Sequence, residues 1–435
     1  MAPQLAAHQE KGGASRGGFG REAAEDREDI GDSRQGTPPG WAACRIGQDF
    51  GRWPVERTTA DSGNRGNDAA EWTRAGDENE TEAARTACTR FLNGHGLRSA
   101  ADMLGAIPAD VEMDRYGQGG VVRRLESEVA ALLGKEAALF LPSGTMAQQA
   151  TLRVHADRRG RRSVVFHPFC HLDWHEGRGY QRLHGLVGVP AGPIREPLSL
   201  DSLRAVREPP AALLLELPQR DLGGVLPSWE DLVAQTAWAR EQGAAVHLDG
   251  ARLWEATPFY DRPPADIAAL FDTVYVSFYK GLGGLAGCCV AGPADIVAEV
   301  SEWRTRHGGR LVALWPYAAS ALTALRTRLP LMPRYYRHAL AIAEALGGLH
   351  GVDVLPTPPQ APLMHLQLAV TAQDLRAHAL EIARRDRVWT FARPFASDTP
   401  RLQRVEFSVG DATLGFQPDE VRRLIGALVG GVAGA

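Results

Sequence analysis

The stretch AAVHLDGAR, residues 244–252, carries the strongest fold signal of this chain. It is an apolar run that ends in Asp249, and Arg252 follows three residues later. A second apolar run, TVYVSFY at residues 273–279, leads into Lys280 and the glycine-rich GLGG. In an open parallel sheet, ligands bind where the strands end at the carboxyl edge. The sequence therefore predicts an acid, an arginine and an amine at one edge of a sheet.

Similar apolar runs precede this pair, namely SVVFH at 163–167 and AALLLEL at 211–217. Segments with helical periodicity, such as SWEDLVAQTAWAREQG, mostly separate the runs. A spacing of about 30 residues per unit suits βαβ crossovers and predicts a mainly parallel sheet covered on both faces. A preceding helix is predicted from apolar residues at helical spacing and a terminal glycine: Val122, Leu125, Val129, Leu132, Leu133 and Gly134.

The pattern divides the chain into three segments. Residues 1–80 are rich in Gly, Arg, Asp, Glu and Ala without apolar periodicity, which predicts a disordered or non-native extension. Residues 81–334 form the predicted large α/β domain. An alanine-rich helical stretch around 316–350, with Pro330 and Pro333 as breakers, leads out of it. Residues 335–435 alternate strands (LMHLQLAV, VWTFA, QRVEFSVG) with helices and predict a small α+β domain.

The composition points to a small-molecule partner. A formal net charge of -4 gives no basic field for nucleic acid or acidic membranes. Apolar runs fall short of the roughly 20 residues that span a bilayer, and the N-terminus lacks a secretory core, so we expect a cytoplasmic protein. The five cysteines form neither a CxxC pair nor a ligand-spaced cluster with histidine, which predicts free thiols and no metal.

The residue types at the predicted strand ends suit pyridoxal phosphate. Desolvation can make Lys280 a nucleophile that forms a Schiff base. Asp249 can keep the pyridine nitrogen protonated, which makes the ring an electron sink. Arg252 can hold a substrate carboxylate in a bidentate pair. The phosphate needs an anion site, and LFLPSGTMAQQ supplies a helix start at Ser143, Gly144 and Thr145.

From about Asp114 to the C-terminus, the chain resembles the threonine aldolases, within the β-eliminating lyases of fold type I pyridoxal-phosphate enzymes. The matching motifs are DRYGQGGVVRRLE, LLGKEAALFLPSGTMAQQ, HLDWHEG, DLGGVLPSWEDL, HLDGARLWEA and SFYKGLGG. The resemblance implies an α/β fold with a large domain built on a mainly parallel, seven-stranded sheet and a small C-terminal α+β domain.

The resemblance also implies roles for single residues. Lys280 would form the internal aldimine, Asp249 would pair with the pyridine nitrogen, and Arg252 would bind the substrate carboxylate. His171, which opens HLDWHEG, would stack on the ring and help to move the hydroxyl proton. Gly144 and Thr145 would hold the phosphate. In a homodimer or homotetramer with shared active sites, Tyr116 and an arginine such as Arg310 would reach a neighbour's site.

The chain departs from the family pattern around the substrate. The opening motif DLRSDT has no counterpart, since the corresponding stretch reads ACTRFLNGHG. Where the family has ENTH, this chain has ELPQ, which places Gln219 at the histidine position; an amide cannot act as a base. Where the family has a serine before the lysine, this chain has Tyr279. Arg404 is the match for the family's second carboxylate-binding arginine. We therefore expect a substrate larger than threonine.

The reaction that this resemblance implies is cleavage of the Cα–Cβ bond of a β-hydroxy-α-amino acid to glycine and an aldehyde. Other reactions with the same cofactor stay open, namely β-elimination, racemisation and transamination. A non-catalytic binding protein of the same fold is a further alternative. The presence of both Lys280 and Asp249 argues against it.

Overall fold

The N-terminal part of the fold was only partly predicted. A computed structural model describes residues 75–391, 394–395 and 399–430, and the side chains of 75–78 are not described. Helix α1 (Ala75–Ala87) begins inside the predicted extension 1–80, so residues 75–80 are helical, and the rest of that extension lies outside the described residues. Its Glu80 pairs with Arg376 at 3.2 Å and Arg384 at 2.5 Å. Strand β1 (Arg90–Phe91) follows.

Two helices lead into the central sheet, α2 (Ala100–Gly105) and α3 (Gly120–Leu133). The predicted helix is confirmed in α3, whose apolar residues at helical spacing are buried. Gly134 ends it with φ of 60°, a left-handed conformation that glycine adopts without the steric cost of a Cβ.

Seven strands form the central sheet in the order β2-β8-β7-β6-β5-β3-β4. All neighbours are parallel except β8, which runs antiparallel to both β2 and β7. The mainly parallel, seven-stranded sheet is therefore confirmed. The strands are β2 (Ala137–Leu141), β3 (Ser163–Phe166), β4 (Val187–Pro190), β5 (Ala212–Glu216), β6 (Ala245–Gly250), β7 (Thr273–Ser277) and β8 (Cys288–Gly292).

Helices connect these strands, and β6 and β7 are buried at every position, as expected for strands that are covered on both faces. The connecting helices are α4 (Gly144–Arg159), α5 (His171–Trp174), α6 (Gly179–Arg182), α7 (Leu200–Arg204), α8 (Trp229–Glu241), α9 (Leu253–Tyr260), α10 (Pro264–Ala269) and α11 (Ala294–Arg306).

The alanine-rich stretch forms two helices, α12 (Trp315–Arg328) and α13 (Met332–Leu346). A 3-10 turn at Leu329–Leu331 separates them and contains Pro330, as predicted. Pro333 does not break a helix. It lies in the first turn of α13, where a missing backbone N–H costs nothing.

The C-terminal segment contains a three-stranded antiparallel sheet in the order β12-β10-β9. The run VWTFA contains a strand, β11, as predicted, and this strand pairs in parallel with β1 rather than with the three-stranded sheet. Strand β9 was not predicted. The elements are β9 (Val352–Leu355), β10 (Leu363–Leu368), α14 (Ala372–Asp386), β11 (Val388–Trp389), β12 (Gln403–Ser408) and α15 (Pro418–Gly430). The domain limits 81–334 and 335–435 stay a prediction.

Residues 90–98, which we call the N-terminal strap, contact both the C-terminal sheet and the loop after β7. The Asn93 side-chain amide donates to the Glu406 carbonyl at 2.9 Å. His95 Nε2 donates to the Gly281 carbonyl at 2.8 Å, and Arg98 donates to the Gly283 carbonyl at 2.5 Å. The strap therefore holds the loop that carries the predicted Schiff-base lysine.

Candidate active site

Two buried carboxylates lie side by side at the carboxyl edge of the central sheet. Glu216 ends β5 and is the register partner of Asp249 on β6. Asp249 is 2% exposed, and its Oδ1 accepts the N–H of Ala251 at 3.1 Å. Burial, followed by the negative charges of Asp249 and Asp221, raises the pKa of Glu216 to about 8. Glu216 is therefore protonated near neutral pH in the cofactor-free site.

The lysine lies on the same edge, three residues after β7 ends at Ser277. Burial and the neighbouring Arg252 charge lower the pKa of Lys280, and the charges of Asp249 and Glu216 oppose this. A lowered pKa leaves more of the amine in the neutral, nucleophilic form. The next residue must be small, because a Cβ on Gly281 would overlap the carboxylate of Glu255.

The start of helix α4 is the third feature of this edge of the sheet. Helix α4 begins at Gly144, and the extended Ser143 before it makes no side-chain capping bond. The first N–H groups of a helix have no intrahelical partner and attract anions. A Cβ on Gly144 would overlap the hydroxyl of Tyr275, the register partner of Asp249 on β7. Glycine therefore lets this helix start approach the strands that carry the acid.

Arg252 is buried beside two carboxylates without a close pair to either. Its Nη2 lies 3.7 Å from Oε1 of Glu406, and its Nε lies 3.9 Å from Oε2 of Glu255. Glu406 is more tightly paired with Arg220, at 2.6 Å. The guanidinium of Arg252 therefore retains N–H donors for a further carboxylate.

Arg404, the expected second arginine, lies near the turn after β5. Its guanidinium carbon is 4.8 Å from the Phe395 ring centroid, and its Nη1 is 3.5 Å from the carbonyl oxygen of Asp221. These contacts place Arg404 beside Asp221 rather than in a pair with Arg252. Its role in carboxylate binding stays a prediction.

His171 begins α5, directly after the loop that follows β3. Its Nδ1 lies 3.2 Å from Oε1 of Glu176, and its backbone N–H donates to Oε2 of Glu216 at 3.3 Å. The structure thus brings His171 to the carboxylates that face the predicted lysine. Its stacking on a cofactor ring stays a prediction.

A second histidine-carboxylate pair lies next to the first and was not predicted. His175 Nε2 is 2.9 Å from Oδ2 of Asp221, and its ring centroid is 4.9 Å from that of His171. Asp221 belongs to a 3-10 turn after β5, and His175 follows β3. The two segments meet because β3 pairs directly with β5 and β4 lies at the sheet edge.

Tyr116 and Arg310 lie together, with the guanidinium carbon of Arg310 5.5 Å from the Tyr116 ring centroid. The Tyr116 N–H donates to the Val312 carbonyl at 2.9 Å, and its side chain is on the surface. Within one chain this pair contacts neither Lys280 nor Asp249 through any described interaction. Its predicted role in a neighbour's site stays a prediction.

The comparisons with known proteins agree with this arrangement. A family model described as beta-eliminating lyase matches residues 99–369. The chain belongs to the beta-eliminating lyase family. This lyase is 29% identical to low-specificity L-threonine aldolase 1 of Arabidopsis thaliana over 63% of its own length and 80% of the relative's. Family membership confirms the resemblance inferred from the motifs.

Solved structures give the same result for the fold. The crystal structure of a candidate L-allo-threonine aldolase from Listeria monocytogenes is 37% identical, with a TM-score of 0.76 over 81% of this chain and 98% of the other. A structure of SPT with a PLP internal aldimine, 17% identical with a TM-score of 0.55 over 81% and 83%, supports the fold alone. The lyase is thus a fold type I protein and an enzyme of a pyridoxal-phosphate-dependent carbon-carbon lyase family.

Sequence reasoning missed several residues around this lyase's site. Glu216 ends an apolar run next to the run of Asp249, so the rule for strand ends could have found it. The pairing of Arg252 with Glu406 had no local signal, since 154 residues separate them (406 minus 252). Among helices of the described residues, none is long and apolar enough to cross a membrane.

Proposed function

We propose that Lys280 binds pyridoxal phosphate and that this lyase cleaves a β-hydroxy-α-amino acid to glycine and an aldehyde. The observation that carries the proposal is the convergence of three groups on one sheet edge. These are the buried acid Asp249, the desolvated Lys280 and the uncapped helix start at Gly144.

The residues present fit the cofactor. Asp249 offers a buried carboxylate to the pyridine nitrogen, and Ser143, Gly144 and Thr145 offer a hydroxyl and backbone N–H groups to the phosphate. The missing Cβ of Gly144 leaves the helix start close to Tyr275 and hence to β6. When bound, pyridoxal phosphate would withdraw electrons from Cα of the amino acid.

Substrate orientation is assigned to Arg252. Its loose contacts, 3.7 Å to Glu406 and 3.9 Å to Glu255, leave N–H donors for a carboxylate, and a buried guanidinium binds a carboxylate more strongly than an exposed one. Because bond cleavage at Cα depends on alignment with the cofactor ring, fixing the carboxylate would help to select the bond to Cβ.

A product assay tests this function. Purified wild-type protein loaded with pyridoxal phosphate is incubated with threonine, allo-threonine and phenylserine, with Lys280→Ala as the control. Glycine together with an aldehyde supports the proposal. Ammonia with an α-keto acid would indicate β-elimination instead, and inverted stereochemistry would indicate racemisation. Transfer of the amino group to the cofactor would indicate transamination.

We further propose a homodimer or homotetramer with shared active sites, in the cytoplasm as the composition predicts. Large apolar side chains are exposed around Tyr116, including Met113 at 68% and Val312 at 62%. Exposed apolar groups of this kind mark protein contacts when they cluster. Light scattering on the purified protein tests the assembly. Mixing the inactive variants Tyr116→Ala and Lys280→Ala tests whether active sites are shared between subunits, because a hybrid dimer would then contain one complete site and regain activity.

A further inference from the structure

The turn after β5 contains no basic side chain at the position where the family resemblance implies a histidine. Gln219 stands there, and its amide nitrogen donates to the Phe169 carbonyl at 3.1 Å and to Oε2 of Glu216 at 3.3 Å. An amide does not accept a proton near neutral pH. If the proposed cleavage occurs here, another group must take the proton of the β-hydroxyl.

His175 lies close to this position and is held by a carboxylate. Its Nε2 is 2.9 Å from Oδ2 of Asp221, two residues after Gln219. The side chain of Asp221 is 10% exposed, whereas that of His175 is 37% exposed. The carboxylate of Asp221 is thus buried, whereas the imidazole of His175 is partly exposed beside His171.

The partner determines which nitrogen of His175 carries the proton. An ionised carboxylate only accepts hydrogen bonds, so Nε2 must donate to Asp221. In the neutral ring, Nδ1 then has the free lone pair. Within the described part of the chain, no hydrogen bond occupies His175 Nδ1. The ring is therefore oriented as a base, in the way that an acid orients histidine in a catalytic triad.

The charges around the pair keep Asp221 ionised. Burial would raise its pKa, but the hydrogen bond and charge of His175, then the charges of Arg220 and His171, outweigh burial and lower the pKa of Asp221. The charged and titratable groups near the pair are His167, His171, Glu216, Arg220, His365 and Arg404.

We propose that His175, oriented by Asp221, is the base that removes the β-hydroxyl proton during Cα–Cβ cleavage. This inference rests on the proposed function. Among the neighbouring histidines, His171 has its Nδ1 engaged with Glu176, and the family resemblance assigns its ring face to the cofactor. Both ring nitrogens of His167 are in hydrogen bonds, and His365 is only 1% exposed. Asp221 is a positioning residue that acts through His175.

The proton transfer is balanced. The O–H bond of the β-hydroxyl breaks and its proton moves to Nδ1 of His175. The electron pair of that bond becomes the second bond of the aldehyde C=O as the Cα–Cβ bond breaks. The pair of the Cα–Cβ bond would be left on Cα, where bound pyridoxal phosphate would withdraw it. Cα then takes up one proton from solvent to give glycine, and His175 releases its extra proton to solvent.

The experiment separates this step from other chemistry at Cα. Cleavage of phenylserine and exchange of the glycine α-proton in deuterium oxide are measured on the loaded enzyme for wild type, His175→Ala, His171→Ala and the exposed control His350→Ala. Glycine has no β-hydroxyl, so its exchange does not need this base. We expect His175→Ala to lose about 100-fold or more in cleavage and less than about threefold in glycine exchange.

Three outcomes overturn the inference. Cleavage unimpaired in His175→Ala excludes the base, and equal losses in cleavage and exchange assign His175 to cofactor binding or folding. Loss of cleavage alone in His171→Ala, with His175→Ala active, transfers the role to His171. If His175→Ala does not fold, His175→Gln is measured in the same way. Absence of cleavage in wild type defeats the proposed function instead.

Asp221→Asn supplies a readout that a purely structural role would not change. An asparagine removes the negative charge beside His175, so the acidic limb of the cleavage profile should move to lower pH while glycine exchange keeps its profile. An unchanged acidic limb would contradict the orientation by Asp221.

Discussion

Glu216 and Asp249 are register partners on neighbouring parallel strands, and both carboxylates are buried. A negative charge next to a buried carboxyl group raises the pKa of that group, because it disfavours a second negative charge. Here burial and Asp249 raise the pKa of Glu216 to about 8. Glu216 therefore holds a proton near neutral pH before a cofactor binds, and this makes the stability of the protein depend on pH.

The first prediction concerns Glu216→Gln in cofactor-free protein. Because the pKa of Glu216 is raised in the folded state, the native state keeps its proton between about pH 4.5 and pH 8, where the unfolded state has released it. Wild-type stability should therefore be fully present below about pH 4.5 and fall as the pH rises to about 8. The slope is at most about 1.4 kcal/mol per pH unit.

Glutamine at position 216 mimics the protonated acid and should remove this dependence. Melting temperatures of Glu216→Gln, wild type and the exposed control Glu208→Gln are compared between about pH 5 and pH 9. The advantage of Glu216→Gln should grow with pH. A constant difference across the range would show that Glu216 is ionised in the native state.

The second prediction concerns Lys280. Borohydride reduction of the loaded protein should attach pyridoxal phosphate covalently to this residue, because its lowered pKa leaves a neutral amine beside Asp249. Peptide mass spectrometry locates the adduct. Lys280→Ala should bind the cofactor only reversibly, and a reduced adduct in that variant would rule out the assignment.

The third prediction concerns Asp249→Asn. The neutral amide retains the shape of the side chain but cannot stabilise a protonated pyridine nitrogen, so the cofactor should bind while turnover falls by about 100-fold or more. Cofactor absorbance and kcat are measured on the same preparation. Near-normal kcat with bound cofactor would contradict the role of Asp249 as partner of the ring.

The fourth prediction concerns substrate size. A partly open cavity beside Glu216 is lined by apolar residues that include Leu198 and Leu217, together with Gln219. A phenyl group would bury apolar surface there at about 25 cal/mol per Å², and the smaller methyl group of threonine would bury less. We expect kcat/KM for phenylserine to exceed that for threonine by about tenfold or more.

Filling the cavity provides the matched test. Leu198→Phe narrows the cavity without altering a charged residue, so it should lower kcat/KM for phenylserine and leave that for threonine within about twofold. If threonine is the better substrate of wild type, or if Leu198→Phe affects both substrates equally, the cavity does not select the β-substituent.

Four strands of the central sheet, β3, β5, β6 and β7, could be predicted because they are almost entirely buried and therefore read as continuous apolar runs. Asp249 and Lys280 follow from the same logic, since each comes at or just after the end of such a run. Strand β9 escaped prediction because it is short and only its first residue is buried. Strand β11 was predicted as a strand, but its pairing with β1 was not, because two residues contain no information about their partner.

The pairing of His175 with Asp221 could not be read from the sequence. It depends on β3 and β5 being neighbours, although β4 lies between them along the chain. Local patterns predict the strands but not their order in the sheet. The ELPQ motif could indicate only that the histidine is missing at Gln219. The base proposed in its place, His175, lies 44 residues earlier in the chain (219 minus 175).

The N-terminal strap has a consequence for how the protein is made. Its first residues, Arg90 and Phe91, find their strand partners at Val388 and Trp389. A ribosome adding about 5 to 20 residues per second needs roughly 15 to 60 s to reach those partners. During that interval β1 has no edge to pair with, and the Lys280 loop lacks its completed support. The nascent chain therefore cannot finish its active site until Trp389 has been synthesised, whichever parts of the central sheet have already formed.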